Sequence, residues 1–162
     1  IKALPTIKET IPNVLYAVIG NGDQKDALIS LTQELKLEDH VIFHDEISDE
    51  EMIHCYQQCD IFALPNRTVG NDIEGFGMVL IEAQACGKPV IAGDSGGTKE
   101  TLIEGTTGFI VDCTTETNLA SASIQLIEQY KDTLISTSCR DHVVSNFDWA
   151  PLSKNASSFF SK

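Results

Sequence analysis

Glu74 and Glu82 flank a glycine-broken turn, Gly75-Phe76-Gly77, that runs into an apolar segment, Met78-Val79-Leu80-Ile81. Glycines at a helix entrance let a ligand approach the backbone and leave the first N–H groups of the helix free. Together with the positive end of the helix dipole, those groups favour a phosphate. Carboxylates suit a different partner, because they accept hydrogen bonds from hydroxyls. A phosphate flanked by hydroxyl-bearing groups describes a nucleotide-sugar.

Spacing narrows the role of the two acids. Eight residues of helix rise about 12 Å, too far for a close catalytic dyad. The pair then holds opposite ends of an elongated ligand, with a diphosphate between them at the helix N-terminus. Glutamate is also an ordinary helix former, and acidic residues suit a first helical turn. Gly75, Gly77 and the apolar wall of Met78 to Ile81 favour the ligand reading.

Other residues fit the same site. Gly20-Asn21-Gly22, Asp45 to Ile47, Asn66-Arg67 and Ser95-Gly96-Gly97 each follow a strand-like apolar run. In doubly wound sheets the ligand lies beyond the carboxyl ends of the strands, so their convergence says more than any one motif. Gly20 and Gly22 fit a tight strand-to-helix turn equally well. Arg67 is one of few cations near the turn, and a surface arginine would explain it too. His44 and Asp45 lie where a base could sit, serving there through the backbone. Lys88 precedes Pro89 at the start of a strand and should point away from the site. Glu100 either caps a short helix or touches the ligand.

The elements that must position these residues alternate along the chain. Strands are expected at Val14 to Ile19, His40 to Phe43, Asp60 to Leu64, Pro89 to Ala92 and Gly108 to Val111. Helical patterns cover Asp23 to Leu37, a segment capped by Ser48 with Glu51 in the capping-box position, Phe76 to Cys86, and Thr98 to Ile103. Further helices are expected at 116–131 and 133–146, with a tail from Asp148 containing Trp149 and Phe159-Phe160. Such alternation predicts an α/β fold, a parallel sheet with helices on both faces. Ile1 to Leu4 reads as the rear half of a helix with no strand before it, so a first strand is expected to be missing.

Composition bounds the function. The chain has 162 residues, 42% of them hydrophobic, enough for one domain with a sizeable core. Its net charge of -13, from 24 acidic and 11 basic side chains, disfavours nucleic acid and anionic membrane surfaces as partners. Cys55, Cys59, Cys86, Cys113 and Cys139 form no CxxC pair and show no ligand spacing with His40, His44, His54 or His142. They read as reduced thiols packed as small hydrophobes, with no metal site. No signal peptide or membrane-spanning apolar run is evident, and a cytoplasmic location is expected.

The pattern Glu74-Gly75-Phe76-Gly77, Glu82-Ala83, Cys86-Gly87-Lys88-Pro89-Val90-Ile91-Ala92, then Ser95-Gly96-Gly97 and Glu100, resembles the group-1 family of retaining glycosyltransferases. That family has the GT-B architecture of two Rossmann-like domains. The resemblance covers nearly the whole chain, 1–162, as the C-terminal donor-binding domain. It implies that Glu74 contacts a sugar hydroxyl of the donor beside the reacting centre, as the catalytic residue. Gly75, Phe76 and Gly77 would present backbone amides to the sugar and diphosphate, with Met78 and Val79 at the helix start. Glu82 would bind the ribose hydroxyls, and Ile47 would meet the nucleobase through its backbone. Gly20, Gly22 and Arg67 complete the candidate donor-contacting set.

The longer string Asp72-Ile73-Glu74-Gly75-Phe76-Gly77, with Ala92-Gly93-Asp94-Ser95-Gly96-Gly97, is similar to GDP-mannose-dependent mannosyltransferases acting on phosphatidylinositol mannosides. Related members use UDP- or ADP-sugars. No cofactor beyond the nucleoside-diphosphate sugar is implied. The family's basic Arg and Lys that hold the diphosphate have no match here, and neither does its N-terminal acceptor domain with a catalytic His. The tail at 148–162, with Phe147 before it, resembles the helix that crosses back onto that domain. This chain alone is therefore expected to bind donor weakly and to turn nothing over. Two other readings stay open: a non-catalytic nucleotide-sugar-binding or assembly module, and a sugar-nucleotide epimerase with its own acid and base groups.

Overall fold

The computed structural model describes residues 1–71, 73–130 and 133–160. Asp72, part of the longer string above, and the last two residues of the tail lie outside the described residues. Among those described, the order is α1 (Leu4–Thr10), β1 (Tyr16–Ile19), α2 (Lys25–Glu34), β2 (Val41–His44), α3 (Asp49–Gln58), β3 (Phe62–Leu64), α4 (Met78–Ala85) and β4 (Val90–Gly93). A 3-10 helix (Gly96–Thr101), β5 (Gly108–Val111), α5 (Glu116–Gln129), α6 (Thr133–Asn146) and α7 (Trp149–Phe160) follow.

Every expected strand forms, and all pairings are parallel. The capping box at α3 forms as its sequence dictates. Glu51 N donates to Ser48 Oγ at 3.3 Å, and Ser48 N donates to Glu51 Oε2 at 2.8 Å. Two expectations need correction. Ile1 to Leu4 is not the rear of a helix: α1 begins at Leu4, with Pro5 in its first turn, where a missing N–H costs nothing. The central helix starts at Met78 rather than Phe76, because Gly77 takes the left-handed conformation (φ 79°, ψ 56°) immediately before it.

The strands fall into two groups, β1-β2 and β3-β4-β5, rather than one continuous sheet. Among the described residues, β1 and β3 are not hydrogen-bonded to each other. Their residues are only half-buried or exposed. By contrast, Val90, Ile91 and Ala92 of β4 are 0% exposed.

Alternation along β4 sends its side chains to two layers. Val90 and Ala92 pack with Leu80 and Ala83 of α4, Tyr56 of α3 and Leu102. Ile91 packs on the other side with Val111 of β5 and Leu126 of α5. A third core joins α1 (Leu4, Ile7), Leu37, Val41 and Ala120 of α5. Leu119 borders this core and the Ile91 core alike, so α5 ties the two strand groups together. No helix among the described residues is long and apolar enough to cross a membrane.

Candidate functional site

The turn before α4 rests on a second turn, and glycine is required where the two backbones meet. A Cβ on Gly96 (φ 66°) would lie 1.8 Å from Glu74 O, and one on Gly97 2.4 Å from Gly75 O. Gly97 N donates to Gly75 O at 3.1 Å. A Cβ on Gly93 would meet Asn66 O at 1.7 Å. Ser95-Gly96-Gly97 thus supports Glu74-Gly75 from beneath through main-chain contact.

Polar side chains lock this floor. Asn66, just after β3, accepts from Gly93 N at 2.9 Å and donates to Ser95 O at 2.9 Å. Thr98, fully buried, shares its hydroxyl proton between Gly93 O at 2.7 Å and Ser95 O at 2.9 Å. Thr68 Oγ1 meets Ser95 Oγ at 2.8 Å. The ends of β3 and β4 are thereby fixed to each other and to the turn above.

On the upper side the turn is open. Nothing lies within 4 Å of a Cβ built on Gly75. Glu74 is half-buried, and no described residue hydrogen-bonds or ion-pairs with its carboxylate. Gly77 supplies no side-chain cap to α4, so the first-turn amides keep their donor capacity. Met78 is exposed and Val79 half-buried at the helix start. An uncapped helix N-terminus beside this carboxylate sets backbone donors next to a hydrogen-bond acceptor.

Glu82 lies one helical turn into α4. Only the interval from Met78 to Glu82 is helical, a rise of about 6 Å, so the 12 Å expected for a continuous helix does not apply. Tyr56 OH donates to Glu82 Oε2 at 2.9 Å, while the carboxylate remains exposed. The Tyr56 ring stacks edge-on against Phe62 (centroids 5.4 Å, 69°). Burial, then the Glu82 hydrogen bond, holds the Tyr56 phenol well above its ordinary pKa.

The remaining residues are placed less uniformly. Gly20 (φ 132°) and Gly22 sit with open space around them at the end of β1. Ile47 is half-buried in the loop after β2. Asp45, at the start of that loop, ion-pairs with Lys25 of α2, which joins the β1 and β2 ends of the site. Arg67 is exposed, and its charge is felt at the Cys113 thiol beyond β5. Lys88 points away from the turn: its Nζ donates to Tyr130 OH at 3.0 Å. Glu100 is exposed within the 3-10 helix. Among the described residues, no group of three or more His, Cys, Asp or Glu side chains could hold a metal ion. Sequence reasoning missed Tyr56, Thr98 and the Asn66 clasp; an asparagine directly after a strand-ending proline was the available signal for the last.

Residues 1–135 match the family model described as glycosyl transferases group 1. A GDP-mannose-dependent alpha-(1-6)-phosphatidylinositol monomannoside mannosyltransferase of Mycolicibacterium smegmatis is 35% identical over 152 residues, covering 92% of this chain and 40% of the relative. Sucrose-phosphate synthase of Thermosynechococcus elongatus superposes with a TM-score of 0.80 at 26% identity, over 99% of this chain and 41% of that one. The C-terminal domain of a glycosyl transferase group 1 family protein (LpcC) from Francisella tularensis shares the fold, with a TM-score of 0.78 at 23% identity. That match covers 91% of this chain and 77% of that one. The chain thus spans about 40% of the length of the first two relatives.

Proposed function

The chain belongs to the glycosyl transferases group 1 family, and on that premise we propose that it is the donor-binding domain of a sugar transferase. The donor is a nucleoside-diphosphate sugar, and GDP-mannose is the one that the mannosyltransferase relative favours. The observation that carries the reading is the open turn at Gly75, with an unpartnered Glu74 on one side and the uncapped start of α4 on the other.

In the transfer, the bond between the anomeric carbon and the diphosphate oxygen breaks, and its electron pair stays on the diphosphate. The acceptor hydroxyl oxygen bonds to the same carbon and gives up its proton to the departing diphosphate or to solvent. The growing charge falls where the amides of Gly77, Met78 and Val79 stand, so fixed dipoles meet it without reorganisation. Glu74 accepts a hydrogen bond from a sugar hydroxyl and orients the ring. Glu82, steadied on one oxygen by Tyr56, keeps the other for ribose, and Ile47 lines the base position. Retention of anomeric configuration follows the resembled family. No metal or cofactor enters the step.

The acceptor side belongs to a further domain, as the chain's share of its relatives' length suggests. A strand from outside the described residues would then fill the place between β1 and β3. The five free cysteines fit a reducing cytoplasmic setting.

Calorimetric titration of GDP-mannose, UDP-glucose and ADP-glucose into the chain and its Glu82→Ala variant tests the reading. One nucleotide-sugar should bind, and the variant should bind it about tenfold or more weakly, as a lost hydrogen bond to a charged group predicts. Equal affinity in both proteins would remove the ribose role.

A further inference from the structure

We propose that Phe147 is a positioning residue for the donor turn, holding Phe76 and through it the amides and carboxylate on either side. The inference rests on the donor-binding reading above and extends it to the far end of α6.

Gly75 and Gly77 have no side chains, so Phe76 is the turn's only side-chain handle between Glu74 and Met78. Its ring meets the Phe147 ring edge-on, with centroids 5.9 Å apart at 65°. Phe147 in turn meets His142 at 5.4 Å and 84°. Both phenyl rings are half-buried. The floor beneath the turn fixes the carbonyls of Glu74 and Gly75, and the Phe76–Phe147 contact adds a second, lateral hold.

Phe147 is itself rigidly placed. Helix α6 runs antiparallel along α4. Near its start, Ser136 crowds Gly87, where a Cβ would lie 2.5 Å from Ser136 Oγ. Next, Arg140 Nη1 donates to Ala85 O at 2.7 Å, and the far end of α6 reaches the turn ahead of Met78. Cys139 is fully buried, its thiol 3.6 Å from Thr107 O. Phe147 N donates to Val143 O at 2.8 Å, so its backbone continues the last helical turn.

His142 strengthens the assignment. Asn146 Nδ2 donates to His142 O at 2.8 Å, which fixes that nitrogen as a donor, and it stands 3.2 Å from His142 Nδ1. In the neutral ring Nδ1 is therefore the acceptor, and the proton sits on Nε2. Among the described residues, that atom is buried without a hydrogen-bond partner. The His142 ring that packs edge-on against Phe147 is thereby held in one orientation by Asn146.

Two residues beyond Phe147, α7 opens with Trp149, 84% exposed.

Hydrogen exchange followed amide by amide, in the chain and in Phe147→Ala and Phe147→Tyr, tests the proposal without any ligand. In Phe147→Ala, the Gly97 and Leu80 amides, hydrogen-bonded to the turn carbonyls of Gly75 and Gly77, should exchange about three- to tenfold faster, as loss of one aromatic pair predicts. The β4 amides from Val90 to Ala92 should be unchanged, and Phe147→Tyr should restore the turn. GDP-mannose affinity should fall by a similar factor in Phe147→Ala and recover in Phe147→Tyr. Unchanged exchange at the turn would overturn the proposal, and so would an equal rise at the turn and in β4. Faster turn exchange in a protein that binds no nucleotide-sugar would uphold the positioning role and remove the donor reading.

Discussion

Tyr56 donates its phenolic proton to Glu82 across 2.9 Å, joining α3 to α4 at the residue assigned to ribose. Tyr56 is 5% exposed, whereas Glu82 is exposed, so the bond aims the carboxylate and leaves it open to solvent. Tyr56→Phe keeps the ring packing against Phe62 and deletes only the hydroxyl. Stability should fall by about 1 kcal/mol, measured by urea denaturation. Donor affinity should fall less than in Glu82→Ala, because the carboxylate remains.

The two glycine turns should respond to a methyl group in opposite ways. Gly96→Ala places a Cβ on Glu74 O at a positive φ, and should cost more than about 3 kcal/mol in strain and displaced backbone. Gly75→Ala meets nothing within 4 Å and should leave stability within about 0.5 kcal/mol of the parent. Donor binding should nevertheless weaken, because the methyl occupies space assigned to the sugar diphosphate. Thermal melts paired with calorimetry separate the two effects.

Asn66 makes both of its bonds to main chain at the ends of the floor. Asn66→Ala orphans Gly93 N, while Ser95 O keeps the Thr98 hydroxyl, and should destabilise by about 1–3 kcal/mol for the one group left buried and unpaired. Asn66→Asp keeps the acceptor for Gly93 N and loses the donor to Ser95 O, so its urea midpoint should lie between those of Ala and the parent.

Alkaline pH should weaken the fold. Burial pushes the Cys139 thiol up to about 12, and the Cys59 and Cys113 thiols up to about 11, from an ordinary value near 9. A raised folded pKa gives stability that is fully present below the unfolded value and is lost as pH rises through the folded one. Stability should therefore be flat near pH 7.5 and decline from pH 9 towards 12. Buried Tyr56 and half-buried Tyr16, also raised, add to the fall above pH 10. Cys139→Ala should start from a lower stability and fall less steeply with pH, as read from urea midpoints across the series.

The isolated chain should transfer no sugar. Its site contributes Glu74 and the α4 amides, and no cation ion-pairs with Glu74 among the described residues. Release of GDP from GDP-mannose by the purified chain, with a hydroxyl acceptor present, should not rise above the buffer rate. Sustained turnover would contradict the half-site reading.

The parts of this fold legible in the sequence are those written locally. Alternating apolar runs located all the strands, and Ser48 with Glu51 announced the α3 cap three residues apart. Gly75 to Gly77 marked the turn before α4, but the left-handed φ of Gly77 that delays the helix to Met78 depends on its seat against Leu80, Leu64 and Thr98. Partnerships across long separations left no such trace. Tyr56 and Glu82 are 26 residues apart, and Asn66 reaches Ser95 across 29. Phe76 and Phe147 meet only because α6 runs back along α4. The division of the strands is also tertiary, since each strand's own sequence suits a continuous sheet.

The most direct test of the donor site is an amide chemical-shift map of the 15N-labelled chain titrated with GDP-mannose. The largest changes should fall on Gly75, Phe76, Gly77, Met78 and Val79, with smaller ones at Ile47 and Glu82. Saturating changes confined to other surfaces, with those amides unmoved, would contradict the account.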